Sequence, residues 1–224
     1  MIISKSSLES VKLASVDKAV PVLNNLCLKS DGTIVAANGK SMIFVSPVSP
    51  EIKGKVPLEE QENMEDVVLS LETVGELMKA VPKDTMFKGV LEHLEVRETG
   101  TEGEVLVKVT DGKRHKDIRC KGFGRRFIDT DRILDEVLGG RKLGMVAVNL
   151  RRFLTVVEVI NRVCPDNSGE VPLYLEFYEK ATILRTLNLK TGQRAVAIVY
   201  NYRPDSLVWM EESDWEKAML RRTE

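Results

Sequence analysis

Ile34–Val45 has the sequence IVAANGKSMIFV and holds the features on which the fold depends. Gly39-Lys40-Ser41 matches the end of the phosphate-binding motif G-x-x-x-x-G-K-[ST], whose first glycine lets backbone N–H groups approach the phosphates. Here the first position of that motif is Ile34, and a strand-like apolar run follows Ser41, whereas a phosphate-binding loop opens a helix. Asn38-Gly39 between two apolar runs is instead typical of a β-hairpin turn. The stretch therefore predicts a hairpin and argues against a nucleotide site.

The overall composition shows no strong charge bias. The chain has 224 residues, a net charge of −1, 43% hydrophobic and 30% charged residues, enough for one large or two small domains. Its cysteines, Cys27, Cys120 and Cys164, are far apart and odd in number, as is typical of free thiols in a reducing compartment. No signal-peptide pattern and no apolar run of about 18 residues is present. We therefore expect a cytoplasmic protein without membrane association, metal or cofactor.

The hairpin belongs to a unit that occurs three times, each of about 60 residues: a short strand, an amphipathic helix and an antiparallel meander. Strands outnumber helices, and each helix has one apolar face, so it can cover one side of a sheet. The predicted class is α+β, with helices packed on one face of antiparallel sheets. The predicted strand–helix pairs are Met1–Ser4 with Ser6–Ser15, Asp66–Ser70 with Leu71–Val81, and Gly144–Asn149 with Leu150–Val163.

The third predicted helix has the clearest signals at its start and on its apolar side. Asn149 is a plausible N-cap. The apolar stripe is predicted at Leu150, Phe153, Leu154 and Val157, which follow helical spacing.

Three segments in this order resemble the bacterial sliding clamp, the beta subunit of the replicative DNA polymerase. GTIVAANGKSMIFVSPV is similar to the family's strand–turn–strand V-A-T-D-G-H-R-L-A, and VVLSLETVGELMKAV to its second strand–helix unit. GRRFIDTDRIL (124–134) is similar to the connector G-R-F-P-D-Y-R-R-V-L. The resemblance implies a DNA-clamp-like domain at 1–122 (units 1–60 and 64–122), a connector at 123–142, a third unit at 143–203 and a tail at 204–224.

The resemblance also implies that helices face duplex DNA and bind phosphates without reading bases. The implied DNA-facing residues are Lys5, Lys12, Lys79, Lys83, Arg151, Arg152 and Arg162. Acidic neighbours such as Glu9 and Glu158 leave open the alternative of an ordinary solvated helix face.

Partners of a clamp dock short peptides into an apolar pocket beside the connector. Carried over to this chain, that pocket comprises Gly39, Lys40, Ser41, Met42, Ile128, Arg132 and Ile133. The family has His and Arg at Lys40 and Ser41, Pro at Ile128, Val at Ile133 and Tyr at Thr130. These departures leave the peptide specificity open.

Other residues with reactive or charged side chains favour structural roles. The basic run Lys113–Arg126 could contact phosphates, but its alternation, with Ile118 and Cys120 inward, favours a solvated edge strand. His93 and His115 lack partners at the spacing of a nucleophile or a metal site. Glu92, Glu95 and Glu98 are interpreted as the solvent face of a strand. We therefore expect no enzymatic activity.

The number of units raises the question of assembly. A clamp domain contains two units and a ring contains twelve, whereas this chain has three. The third unit is then a half-domain that another chain could complete about a two-fold axis. The tail, with Leu207, Trp209 and Trp215, could instead cover it. The sequence thus predicts a clamp-like processivity or accessory factor that binds DNA and partner peptides as a homo-oligomer; the alternative is a clamp-derived interaction scaffold that encircles no DNA.

Overall fold

The computed structural model describes residues 1–14, 20–59, 64–81, 91–99, 101, 103–110, 115–122, 127–144, 146–165, 172–188 and 191–201. The first unit contains β1 (Ile2–Ser4), α1 (Lys5–Leu8), 3₁₀ segments at Glu9–Leu13 and Pro21–Leu23, β2 (Asn25–Leu28), β3 (Ile34–Ala37), β4 (Ser41–Val45) and α2 (Pro50–Lys53). The second contains β5 (Val67–Ser70), α3 (Leu71–Ala80), β6 (His93–Glu98), β7 (Glu104–Thr110) and β8 (His115–Lys121). The connector and third unit contain α4 (Thr130–Leu138), α5 (Leu150–Val163), β9 (Leu173–Phe177), β10 (Ala181–Leu187) and β11 (Arg194–Tyr200).

The predicted hairpin is confirmed as β3 and β4. Gly39 has a φ of 76°, which glycine adopts without steric cost. The Asn38 side-chain oxygen accepts hydrogen bonds from the backbone N–H groups of Lys40 (3.1 Å) and Ser41 (2.8 Å). Both strands are buried throughout. The GKS sequence is therefore a turn, as predicted.

The first two units exchange their first strands. β1 pairs with β6 of the second unit, and β5 pairs with β2 of the first. Each exchanged strand leads directly into a helix that is capped by a serine, Ser4 for α1 and Ser70 for α3. The exchange produces a four-stranded sheet, β1-β6-β7-β8, and the start of a larger one.

The third unit extends the sheet of the first unit. β11 pairs antiparallel with β4, from Ala195 opposite Val45 to Val199 opposite Ser41. The result is a seven-stranded antiparallel sheet of order β5-β2-β3-β4-β11-β10-β9. Residues of all three units share one apolar core with α1, α3 and α5 on one side of this sheet, here called the helix side. α4 packs on the opposite side of the sheet, here called the outer face. The α+β fold class predicted from the sequence is confirmed.

The prediction of a strand at Gly144–Asn149 is wrong. Residues 146–149 lie in neither helix nor strand, although they lead directly into α5 as β1 and β5 lead into α1 and α3. The physical reason is the exchange itself, since a unit's first strand pairs with the meander of another unit. Among the described residues, 146–149 have no such meander to join.

The apolar stripe predicted on α5 is wrong in part. The buried residues are Val156, Val159, Ile160 and Val163, which contact the core. Phe153 and Val157 are partly buried at its margin, whereas Leu150 and Leu154 are 67% and 55% exposed. The helix is apolar over a wider arc than one sheet can cover, so periodicity alone could not show which part is buried.

Two predictions for charged strands have opposite outcomes. Cys120 is buried and Ile118 packs against the core, so the inward alternation of β8 is confirmed. Glu95 is fully buried, so its assignment to a solvent face is wrong. Its carboxylate forms an ion pair with Arg97 and accepts a hydrogen bond from the Glu59 N–H at 3.3 Å. These partners make the burial of the charge tolerable.

The helix predicted at Ser6–Ser15 is a single α-helical turn that tightens into the 3₁₀ segment Glu9–Leu13. Several predicted features lie outside the described residues: Ser15, Lys83, both ends of the basic run and the tail at 204–224.

Candidate DNA-facing and partner-docking surfaces

The three unit helices lie side by side on the helix side of the sheet. α5 contacts α1 and the 3₁₀ segment Glu9–Leu13, and α1 contacts α3. We call α1, Glu9–Leu13, α3 and α5 together the helix layer. Each of its α-helices begins with a side-chain cap: Ser4, Ser70 and Asn149 accept hydrogen bonds from the N–H groups of Ser7, Thr73 and Arg152. The N-cap predicted at Asn149 is thus present, and the layer presents one continuous surface of helix residues.

The solvent side of this layer carries both signs of charge where α5 meets Glu9–Leu13. Arg162 donates to Glu158 at 2.7 Å and lies 4.0 Å from Glu9, and Glu9 also forms an ion pair with Lys12. The hydrogen bond from Arg162 holds the pKa of Glu158 below its usual range. Two of the candidate DNA-facing cations, Lys12 and Arg162, are therefore partly neutralised by acidic neighbours.

The other described candidates differ in exposure. Lys79 on α3 and Arg151 on α5 are exposed, and within the described ranges neither forms an ion pair. Arg152 is half-buried, because it lies close to the buried stripe of α5. The Lys5 ammonium donates to the Val81 carbonyl at 3.4 Å, next to the end of α3. Lys79 and Arg151 are thus the cations best placed to meet an anionic partner.

Three of the residues predicted to form the docking pocket lie together on the outer face. Met42, Ile128 and Ile133 belong to one apolar cluster there. Gly39 and Lys40 are exposed at the hairpin turn, and Ser41 is buried. Arg132 points to solvent and pairs with Glu136 at 3.0 Å. The structure therefore brings the three apolar residues into one cluster, buries Ser41 and leaves Gly39, Lys40 and Arg132 exposed.

The connector contains a helix that sequence reasoning missed. α4 crosses the outer face with Val137 buried and Ile133 and Leu134 partly buried against the sheet. Asp129 caps it by accepting from the Arg132 N–H at 3.0 Å. The signals were present in the sequence: an aspartate cap, apolar residues at i, i+1 and i+4, and a Gly-Gly pair after the last turn. This helix therefore covers apolar surface on the outer face of the sheet.

An acidic cleft of about 1040 Å³ lies at the N-terminal end of α4. Ile128 is the one predicted pocket residue in its lining. Its charged groups are already engaged in part, since Asp131 pairs with Lys29 and Asp66 accepts from the Ser30 N–H at 2.8 Å. In the described part of the chain, no group of three or more His, Cys, Asp or Glu residues could hold a metal ion. There too, no helix is long and apolar enough to cross a membrane.

No protein-family model matches the sequence, and no curated protein matches it significantly. Solved structures do match. One is a PCNA from A. fulgidus to which the C-terminal region of FEN-1 is bound, with a TM-score of 0.51 at 8% identity over 92% of this chain and 98% of that chain. The chain has a sliding-clamp fold.

A second sliding-clamp structure is a provisionally assigned DNA polymerase III beta subunit from Eubacterium rectale ATCC 33656. It matches with a TM-score of 0.42 at 10% identity, over 89% of this chain and 49% of that chain. The present chain thus spans about half the length of that beta subunit.

Proposed function

We propose that this chain is a sliding-clamp-like, DNA-associated processivity or accessory factor. It holds duplex DNA without reading bases, docks partner peptides, works as a homo-oligomer and catalyses no reaction. The observation behind the DNA contact is the helix layer, a continuous surface of three capped helices with Lys79 and Arg151 exposed and free of ion pairs within the described residues. Contacts of this kind depend on phosphate charge, so the binding should weaken as salt rises.

The DNA contact is best tested by charge reversal on the helix layer. Fluorescence anisotropy with a labelled duplex, titrated at several salt concentrations, would compare the native chain with Lys79→Glu/Arg151→Glu. The matched control is Lys116→Glu/Arg119→Glu on β8, where both side chains are exposed and the change in net charge is the same. We expect the helix-layer variant to lose affinity by about tenfold or more and to lower the salt slope by about 0.9 for each lost phosphate contact. Equal losses in both variants would contradict the proposal.

A clamp-derived interaction scaffold is the second candidate. The observation that favours it is the acidic content of the helix layer, where Glu9 and Glu158 neutralise Lys12 and Arg162. A native chain without salt-dependent affinity for duplex DNA would support this candidate over the first.

Partner docking is proposed at the outer face, around Met42, Ile128 and Ile133. The A. fulgidus PCNA with the FEN-1 segment supports the idea that this fold can hold a peptide. In this chain, α4 covers part of the same surface, so a peptide must bind beside α4 or displace it.

A further inference from the structure

The free end of the third unit exposes an unusual amount of apolar surface. Seven large hydrophobic side chains are exposed among the described residues, and five of them lie in this unit. Leu150 and Leu154 lie one turn apart on α5, and Leu173, Tyr174 and Leu175 are consecutive in β9. Exposed apolar side chains that are concentrated in one part of a fold are a feature of interaction sites.

The edge of β9 is built differently from the other meander edge. β8 also ends its sheet, and its exposed residues are mostly charged, including Lys116, Arg119 and Lys121. Charged edges resist pairing with other strands, whereas an apolar edge invites it. At one end of β9, residues at the junction of the connector and the third unit already pair with this edge: Lys142 lies opposite Tyr178, and the Leu143 N–H donates to the Phe177 carbonyl at 2.8 Å. Leu173–Glu176 is the stretch whose edge remains open among the described residues.

Residues 146–149 are a segment that could pair with this open edge of β9. They occupy the place before α5 that exchanged strands occupy before α1 and α3, and they pair with no strand in the described chain. In the first two units, the exchanged strand always joins the meander of the other unit, never its own. Among the described residues, the third unit thus has a leading segment, 146–149, that joins no meander, and a stretch of meander edge, Leu173–Glu176, that pairs with no strand.

We propose that a second copy of this chain completes the third unit by reciprocal strand exchange about a two-fold axis. Each copy adds its residues 146–149 to the β9 edge of the other, and the two α5 helices meet through Leu150 and Leu154. Two identical copies are sufficient for this interface, because each one supplies a leading segment, 146–149, and an open β9 edge. This exchange rests on the homo-oligomer of the proposed function and specifies its interface. It does not depend on DNA contact, so experiments can refute the strand exchange and the DNA binding independently.

The exchange seen in the first domain predicts the register. The residue before each cap lies opposite the first inward leucine of the partner meander: Ile3 opposite Leu94, and Leu69 opposite Leu26. In β9, Leu173 and Leu175 share the helix side, since Leu175 lies opposite the buried core residue Leu184. The corresponding pairs between copies are Val148 with Leu173 and Val146 with Leu175.

The part of α5 that carries Leu150 and Leu154 is exposed and can contact a second α5. Arg162 reaches Glu9 on one side of the buried stripe. At about 100° per residue, Leu150 falls on the other flank of that stripe, away from Glu9–Leu13, and Leu154 lies almost diametrically opposite the stripe, where it is exposed. A second α5 can therefore lie beside the first without disturbing the existing helix contacts.

The test combines mass in solution with cross-linking at the predicted register. Light scattering over a wide concentration range should give a dimer or a multiple of it for the full chain. Leu154→Glu should lower that mass by at least half, whereas Leu138→Glu, the same change at an exposed leucine of α4, should not. A monomer at every concentration, including one sealed by the tail, would overturn the proposal, as would equal effects of the two variants.

Cross-linking tests the register directly. Residues opposite each other in an antiparallel pair lie within disulfide range, so Val148→Cys/Leu173→Cys should form a covalent dimer under mild oxidation. The out-of-register pair Val148→Cys/Glu176→Cys and the single variant Val148→Cys should form little. Burial raises the pKa of the native Cys27 and Cys164 thiols to about 12, which keeps them unreactive. A dimeric protein in which neither pair cross-links would place the interface elsewhere and refute the exchange.

Discussion

Glu176 accepts two charged hydrogen bonds on the outer side of β9, from Arg185 Nε at 2.6 Å and Lys142 Nζ at 3.0 Å. The bond from Arg185, followed by that from Lys142, holds the pKa of this carboxyl below its ordinary value of 4.5. A carboxyl whose pKa is lower in the folded state stabilises the fold above its ordinary pKa and loses that effect as it becomes protonated.

We therefore expect the free energy of unfolding at neutral pH to be higher for the native chain than for the Glu176→Gln variant. The difference should shrink as the pH falls below about 4.5 toward the lower pKa of the folded state. Urea unfolding at a series of pH values measures it. Asp135→Asn, which removes an exposed carboxylate from α4, serves as the control. A difference between native and Glu176→Gln that stays constant across this range would contradict the assignment.

Ser70 joins an exchanged strand to a helix, since it ends β5 and caps α3. Its hydroxyl accepts from the Thr73 N–H at 3.1 Å and lies 3.0 Å from the Thr73 hydroxyl. Ser70→Ala should cost about 1 kcal/mol of unfolding free energy, because it leaves an N–H of the first turn without its cap. Ser70→Asp should retain most of the stability, since aspartate caps equally well. Equal losses in the two variants, measured by urea unfolding, would show that packing and not capping matters here.

α4 is the helix that the sequence analysis did not predict. Val137 is buried against the outer face, whereas the next residue, Leu138, is 37% exposed. Val137→Asp should lower the unfolding free energy by about 2 kcal/mol or more, because it buries a charge without a partner. Leu138→Asp should change it by no more than about 0.5 kcal/mol. Equal urea midpoints for the two variants would mean that α4 does not pack on the sheet in solution.

At the scale of elements, the sequence predicts what depends on local patterns and fails where the partner is remote. The hairpin at Asn38-Gly39 and the cap of α5 at Asn149 follow from residues a few positions apart. The strand predicted at 144–149 fails because a strand requires a neighbour, and in this fold that neighbour belongs to another unit. Glu95 was misplaced for the same kind of reason, since Glu59 lies far from it in the sequence.

The residues of the candidate surfaces could be predicted from the sequence, but the contacts between remote segments there could not. Periodicity placed Lys79 and Arg151 on helices, and the clamp resemblance brought Met42, Ile128 and Ile133 to one surface. Neither could show that Glu9 would also reach Arg162, because that contact depends on how α5 packs against Glu9–Leu13.

At the scale of the whole molecule, the pairing of β4 with β11 determines how the third unit relates to the first two. The sequence predicts a domain at 1–122 and a half-domain at 143–203. In the structure, one sheet and one apolar core continue across that boundary. Such continuity predicts a single cooperative unfolding unit, since the third unit cannot open without exposing the edge of β4.

Leu184→Ala provides the test of this cooperativity, because Leu184 is fully buried in β10 within the shared core. The substitution should cost about 2–5 kcal/mol. If the described chain unfolds as one unit, native-state hydrogen exchange should show the same loss of protection at β2, in the first unit, as at β11 in the third. Leu138→Ala, outside the core, should leave both strands protected. Loss confined to β9, β10 and β11 would mean that the third unit opens alone, and it would contradict a single cooperative unit.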